Sequence, residues 1–312
     1  MVISKTEGAG TRPLWRALRC GEMEKFGIAV IVCFFFCILA EASVVVTATG
    51  EHRYPWAPLD LDSDGHIEWV LEGNLWNVYS ADGQVTMVWD GKTLSVSIRL
   101  ADIVQEQPSG WVNGYPEIWY GAKVWNTLGP ALDGPVPLPQ KLRDLRDISV
   151  TVEYEVRRLD PHLPYNLCLE TWLTRDTERG RAVRSDEVEI MIWLDYQNMR
   201  GAGTLVGQTT IGGKVYEVWY EERCGSGGWE YFAFVPRDPS PYGTVTIWWG
   251  PFLQEAMKYS RRSGWLDLYF TSVELGSEFG APHNLRRNDL DWEVRSFVIS
   301  CGQRNILGVE TQ

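Results

Sequence analysis

The side chains best suited to chemistry lie in an acidic, strand-like segment, residues 187–194. With a strand period of two, its aliphatic residues share one face, while Glu189, Met191 and Trp193 share the other. A carboxylate placed between a methionine and a tryptophan is costly to bury without a partner. This face is therefore better suited to the floor of a cleft than to a hydrophobic core.

A second acidic segment, residues 273–279, could supply a partner for that carboxylate. The same period places Glu274 and Glu278 opposite Val273 and Leu275. Two carboxylates on separate strands suit the cleavage of a glycosidic bond, in which one is ionised and the other donates a proton. Periodicity alone does not separate this reading from two solvated sheet faces, where outward glutamates are common.

The elements that must position these residues are short strands. Alternating runs separated by Gly, Pro, Asn and Asp recur from residue 67 to residue 300, a pattern typical of an all-β sandwich or barrel. Only residues 251–262 predict a helix, which Gly264 would close. One helix among many strands favours a jelly roll.

Composition narrows the choice of partner. The 312 residues include 16 tryptophans, whose flat faces stack on sugar rings, although several must fill the core. The formal net charge of −12 argues against nucleic acid and anionic membranes as partners. Neutral polysaccharide is compatible with both observations.

The first 42 residues predict a leader that directs export. A basic start at Met23 precedes an apolar run over 26–39, and an A-x-A site precedes Ser43. We therefore expect a signal peptide at 1–42, a single catalytic domain at 43–312 and a secreted protein. The apolar run is shorter than the usual membrane span of about 20 residues, and a retained N-terminal membrane anchor is the alternative.

Beyond the leader the chain has three cysteines, Cys168, Cys224 and Cys301. An odd number allows at most one disulfide, with three possible pairings. In residues 166–173 the leucines share one face, and Cys168 shares the other with Glu170 and Trp172. We therefore expect Cys168 to lie near the cleft and to be the unpaired cysteine.

Residues 60–68 read D-x-D-x-D-G and resemble a calcium-binding loop. Carboxylates at alternate positions, followed by a glycine at the turn, suit a hard cation such as Ca²⁺. The glutamate expected at the twelfth position is missing, and a merely acidic turn is the alternative. The candidate ligands of this structural calcium are Asp60, Asp62, Asp64, His66 and Glu68.

Four motifs in order resemble glycoside hydrolase family 12, and especially the secreted endoglucanases of hyperthermophilic archaea. They are N-L-W at 74–76, W-V-N-G-Y-P-E-I at 111–118, E-I-M-I-W at 189–193 and E-L-G-S-E-F at 274–279. The resemblance covers the chain from about Tyr54 to Ser300. It implies a β-jelly roll sandwich of two antiparallel sheets with one short helix and a concave substrate cleft. It also implies hydrolysis of internal β-1,4-glucosidic bonds with retention of configuration.

The same resemblance implies roles for individual residues. Glu189 matches the family's nucleophile, Glu278 its acid/base, and Glu170 a carboxyl that is hydrogen-bonded to the nucleophile from the neighbouring strand. No cofactor is implied for catalysis. Asn113 departs from the family pattern, because close relatives often have histidine there. The residues expected to contact substrate are Asn74, Trp76, Tyr115, Glu117, Trp125, Met191 and Trp193.

We therefore expect a secreted, monomeric, retaining endo-β-1,4-glucanase that acts on cellulose-type β-glucan and has no nucleic acid partner. Two alternatives stay open. One is an enzyme of the same family that is specific for xyloglucan or mixed-linkage glucan. The other is a non-catalytic glucan-binding jelly roll, which would not need two opposed carboxylates. Resemblance to hyperthermophile enzymes makes high thermal stability a further hypothesis.

Overall fold

The computed structural model describes residues 43–60, 67–107, 111–127, 136–281 and 287–308. Within these ranges the chain is built mostly from short strands. In chain order they are β1 (Val44–Ala48), β2 (Trp56–Leu59), β3 (Trp69–Glu72), β4 (Val78–Trp89), β5 (Leu94–Gln105), β6 (Glu117–Gly121), β7 (Gln140–Lys141), β8 (Arg146–Arg157), β9 (Tyr165–Thr174), β10 (Val188–Gln197), β11 (Thr204–Ile211), β12 (Lys214–Cys224), β13 (Trp229–Pro236), β14 (Tyr242–Trp248), β15 (Tyr269–Phe270), β16 (Ser272–Gly276) and β17 (Asn288–Asn305).

The strands form two sheets. The smaller has six strands in the order β1–β4–β5–β17–β8–β14. The larger has 11 strands and the main order β11–β12–β13–β10–β9–β16–β6–β3–β2, with the short strands β15 and β7 joined at β9. The predicted sandwich is confirmed. One described pair, β10 with β13, is parallel rather than antiparallel, because β11 and β12 lie further out and β13 returns to the place beside β10.

The core lies between the two sheets, and strand alternation decides which side chains enter it. Along β10 the residues Val188, Ile190, Ile192 and Leu194 all belong to this core, as the sequence predicts. Burying one such side chain is worth about 1.5–3 kcal/mol, so a slip of one residue, which would exchange the two faces, is strongly disfavoured. The register of β10 is therefore fixed by its aliphatic face.

The predicted helix is present, but its bounds differ. Helix α1 spans Trp249–Met257 and not 251–262. It ends early because Glu230, fully buried on β13, accepts hydrogen bonds from the Arg261 backbone N–H and the Ser260 hydroxyl. Gly264 is left-handed, with φ of 80°, and precedes a separate 3₁₀-helix at Trp265–Asp267 instead of closing α1.

A further expectation concerns the cysteines, whereas the predicted leader at 1–42 lies outside the described residues. Cys168, Cys224 and Cys301 are all free thiols, so the possible disulfide does not form among them. Cys168 lies on β9 and Cys224 on β12, with β13 and β10 between those strands, a separation too wide for a disulfide. No helix in the described part of the chain is both long and apolar enough to cross a membrane.

Candidate active site

The larger sheet has a second face, pointing away from the core, that carries Glu189; we call it the cleft face. Glu189 lies on β10 and is 7% exposed. Its Oε2 accepts a hydrogen bond of 2.6 Å from the indole N–H of Trp229, at the start of β13. Because β13 runs parallel to β10, Tyr231 stands directly beside Glu189. The carboxylate is thus held from one side by a neutral donor.

The second carboxyl of the predicted pair, Glu278, lies beyond a strand and not on one. The second acidic segment is a strand only as far as Gly276, where β16 ends. Asn166 on β9 fixes Glu278 through three hydrogen bonds. The Asn166 backbone N–H donates to the Glu278 carbonyl, the Glu278 N–H donates to Asn166 Oδ1, and Asn166 Nδ2 donates to Glu278 Oε2 at 2.6 Å.

The two carboxyls have different electrostatic environments. Burial raises the pKa of Glu278 to about 7, and the Asn166 amide opposes the rise. Burial and the charge of Glu278 raise the pKa of Glu189, while the hydrogen bond from Trp229 opposes that shift. The charge of Glu278 is thus felt at Glu189. A group whose pKa is near 7 can hold a proton at neutral pH and release it on demand.

Glu170 lies on the strand beside Glu189, as predicted, and is 6% exposed. Its cross-strand neighbours are Met191 on β10 and Glu274 on β16, whereas Glu189 stands opposite Trp172. Among the described residues, the Glu170 carboxyl makes no hydrogen bond, so the expected bond to Glu189 is not formed. The reason is the register, which places the two carboxyls diagonally and gives Glu189 a donor on its other side.

The residues expected to contact substrate divide into exposed and buried sets. Trp125 is 43% exposed, and Asn74 and Trp76 are partly buried. Asn74, at a positive φ of 32°, donates through Nδ2 to Glu117 Oε1 at 2.8 Å. The others are buried, namely Tyr115, Glu117, Met191 and Trp193.

Three tryptophans connect the exposed part of this face to Glu189. The Trp125 ring meets those of Trp172 and Trp229 edge-on, at centroid distances of 5.8 and 6.2 Å, and the latter two are 5.5 Å apart. The indole N–H of Trp172 is buried without a hydrogen bond, as is that of Trp193. An exposed indole face beside the carboxyl pair suits stacking on a sugar ring.

The structure also brings to this face residues that the sequence did not single out. Trp229 and Asn166 hold the two carboxyls, Lys123 lies among buried glutamates, and Trp56 is 49% exposed on the edge strand β2, opposite Glu72. Asn166 could have been found, because it shares the alternation of Glu170. The others become visible only once the strand order is known.

Asn113, the residue that departs from the family pattern, is buried. It joins Gln105 to Asn288 through its side-chain amide, which gives it a packing role.

The candidate calcium ligands Asp62, Asp64 and His66 lie outside the described residues. The described ranges contain no cluster of three or more histidines, cysteines or carboxylates that could bind a metal. Leu59 on β2 pairs with Trp69 on β3.

A jelly roll with a carboxyl pair and tryptophans on its cleft face defines a protein that acts on carbohydrate. The model of the family "Glycosyl hydrolase family 12" matches residues 67–302, and the chain belongs to this family and is a glycoside hydrolase. Family membership excludes the reading as a non-catalytic binding module, and the family acts without a cofactor. No curated protein sequence matches the chain.

Solved structures with the same fold are distant in sequence. A family 12 xyloglucanase from Bacillus licheniformis, in complex with ligand, is 18% identical with a TM-score of 0.62, and the match covers 82% of this chain and 99% of that one. An endoglucanase from Rhodothermus marinus is 19% identical with a TM-score of 0.61, covering 83% and 99%. Endoglucanase 3 from Trichoderma harzianum is 16% identical with a TM-score of 0.58, covering 83% and 98%.

Proposed function

We propose that this glycoside hydrolase is a retaining endo-β-1,4-glucanase in which Glu189 is the nucleophile and Glu278 the acid/base. A Glu189 oxygen attacks the anomeric carbon, the bond to the leaving chain breaks, and the Glu278 proton moves to the leaving oxygen. In the second step Glu278 takes a proton from water, the water oxygen bonds to the anomeric carbon, and the ester to Glu189 breaks.

The observation that carries this proposal is the unequal support of the two carboxyls. The Trp229 N–H opposes the rise that burial and Glu278 cause in the pKa of Glu189, and so favours the ionised form that attack requires. Glu278 has a pKa of about 7, which suits a group that must first donate and later accept a proton. Two carboxyls with unlike environments on one face are what a double displacement needs.

The test is reducing-sugar release from carboxymethylcellulose, barley β-glucan and xyloglucan by the parent and by Glu189→Ala and Glu278→Ala. We expect both variants to lose activity, by about 10²–10⁴-fold or more, the usual contribution of a positioned acid/base. Glu255→Ala is the matched control, because Glu255 is also buried but lies on α1, bonded to Lys258. Full activity in either catalytic variant would refute its assignment.

Stereochemistry and specificity need separate measurements. Proton NMR of the first product should show the β-anomer before mutarotation, and an α-anomer would mean inversion. The ranking of the three glucans decides between the endoglucanase and the xyloglucanase or mixed-linkage alternatives. The relatives in solved structures include both an endoglucanase and a xyloglucanase, so either preference is compatible with the fold.

Three further proposals come from the sequence. We propose that a leader at residues 1–42 directs export. N-terminal sequencing of the exported protein tests this, and an intact leader would support the alternative of a membrane anchor.

We propose that the protein is a monomer, and a doubled mass in light scattering would contradict this. We also propose that the loop at 60–68 binds Ca²⁺ and stabilises the fold by mass action, and an unfolding midpoint unmoved by a chelator would refute it.

A further inference from the structure

A buried lysine lies next to the carboxyl pair without belonging to it. Lys123 is 3% exposed and follows β6 in the chain. Its ammonium donates to Glu117 Oε1 and lies 3.5 Å from Glu72 Oε2 and 3.5 Å from Glu274 Oε2. We call these four residues the Lys123 cluster. One cation serves three buried carboxyls, so the cluster has an excess of acid groups that only protons or hydrogen bonds can offset.

The excess is visible at two oxygen atoms. Within the described ranges, Oε2 of Glu117 and Oε2 of Glu274 are both buried without a hydrogen bond. Both are satisfied together if one carboxyl holds a proton and donates it to the other. Burial raises the pKa of Glu117 well above its usual value, the Lys123 ammonium opposes the rise, and the charges of Glu274 and Glu72 add to it.

Glu274 connects this cluster to the carboxyl pair. Its Oε1 accepts a hydrogen bond from the Ser272 hydroxyl, which fixes the side chain. It stands directly opposite Glu170 across β16 and β9, and such opposed Cβ atoms are about 4.5–5.5 Å apart. Glu170 in turn is the diagonal neighbour of Glu189. Glu274 thus lies two strands away from Glu189, and its charge raises the pKa of Glu189.

The groups around Glu170 are almost all acidic. Burial raises its pKa well above the usual value, Glu274, Glu189 and Glu117 raise it further, and Lys123 opposes them. Glu170 makes no hydrogen bond within the described ranges, so nothing else favours its ionised form. The titratable and charged groups that face it from the surrounding elements are Glu274 from β16, Glu189 from β10, Tyr115, Glu117 and Lys123 from β6 and its flanks, and Cys168 on β9.

We propose that Lys123 and Glu274 are positioning residues that set the proton occupancy of Glu170 and, through it, the ionisation of Glu189. The inference rests on the proposed function, in which Glu189 is the nucleophile. The negative charge of Glu274 keeps the proton on Glu170, and a neutral Glu170 adds no charge against the ionised nucleophile. Lys123 limits this effect, so that Glu189 ionises within the working pH range.

Substitutions of Glu274 and Lys123 must then shift the ionisation of the Glu170–Glu189 pair in opposite directions. Replacing Glu274 by glutamine removes a negative charge, which lets the Glu170–Glu189 pair lose its first proton at lower pH. Replacing Lys123 by methionine removes a positive charge, which raises the pH at which that proton leaves. A role in packing alone would lower stability or activity in both variants without moving the titration in opposite directions.

The experiment is the pH profile of kcat/KM for the parent, Glu274→Gln, Lys123→Met and the double variant. We expect the acidic limb to move down by about one pH unit in Glu274→Gln and up by about one unit in Lys123→Met, as charges 4–6 Å away typically cause. The double variant should return toward the parent. Glu255→Gln, at a buried glutamate on α1, should leave the limb unmoved.

A second readout does not depend on activity. Difference infrared titration follows the protonated carboxyl band directly, and Glu170→Gln identifies the part due to Glu170. If the parent hydrolyses no glucan, the proposed function fails, and the infrared shifts still decide this inference. If activity is present but neither limb nor band moves in Glu274→Gln, the inference is overturned and the proposed function stands. Should Lys123→Met not fold, Glu274→Gln alone decides.

Discussion

At one end of the cleft face, Glu72, Glu117 and Glu274 surround the Lys123 ammonium, whereas Glu189 and Glu278 meet only neutral donors among the residues that the structure describes. A buried cation fixes negative charge near it, because separating the pair leaves an unpaired charge in a region of low polarity. Indole and amide donors are weaker and leave protonation adjustable.

One face can thus hold many carboxylates and still control their protons, because fixed and adjustable charges occupy different parts of it. The Lys123 cluster is suited to a constant charge, and the carboxyl pair is suited to a charge that changes during reaction.

Removal of the buried cation should be the most damaging single change. Lys123→Met leaves Glu117 without its ion pair, and breaking one partner of a buried pair costs about 3–5 kcal/mol in the free energy of unfolding. Lys258→Met is the control, because that ammonium is largely exposed and pairs with Glu255 on α1, where such pairs are worth about 1 kcal/mol or less. Chemical denaturation near neutral pH measures both.

The double variant Lys123→Met/Glu117→Gln sharpens the result. Neutralising the acid that the lysine leaves behind should restore part of the lost stability. If Lys123→Met lowers the free energy of unfolding no more than Lys258→Met does, the Lys123 ammonium does not act as a fixed charge in its cluster.

The carboxyl pair should reveal itself through the pH dependence of stability. The folded pKa of Glu278 is raised from 4.5 to about 7, so its contribution to stability is present below 4.5 and is lost as the pH rises to 7. At about 1.4 kcal/mol for each unit, the loss is about 3 kcal/mol. Glu278→Gln should therefore be less sensitive to pH than the parent and more stable at pH 8.

The measurement is the free energy of unfolding between pH 4 and pH 8, from denaturant titrations of the parent and Glu278→Gln. Glu255→Gln is again the control and should follow the parent. Parallel curves for the parent and Glu278→Gln would show that Glu278 does not titrate in this range. The carboxyl pair would then lack the adjustable charge that distinguishes it from the Lys123 cluster.

The carboxyls of the cleft face could be predicted from the sequence, whereas the residues that bind them could not. Alternation along residues 188–194 was enough to assign both faces of β10, because the period of a strand is a local property. The polar face of β9 followed in the same way from Glu170 and Trp172. Fold class and the candidate carboxyls could thus be predicted without knowing which strands are neighbours.

The partners of those carboxyls could not be predicted from periodicity. Trp229 reaches Glu189 only because β13 returns beside β10, and Lys123 meets Glu274 only because β16 pairs with β6. Such contacts depend on strand order, which periodicity does not contain. The end of α1 was missed for the same reason, since Glu230 on a distant strand binds the residues that would have continued the helix.

The smallest expected effect concerns Asn166 and the tuning of Glu278. Its amide donates to the Glu278 carboxylate and holds that pKa down, so Asn166→Ala should raise it and move the basic limb of kcat/KM to higher pH. A hydrogen bond to a charged group is worth about 1.5–3 kcal/mol, which corresponds to a shift of about one pH unit or more. Asn77→Ala is the control, because Asn77 is equally buried but bonds only backbone groups. It should lose stability and keep the parent's basic limb. A limb that moves in both variants, or in neither, would mean that Asn166 supports only the fold, and that the proton of Glu278 is governed by burial alone.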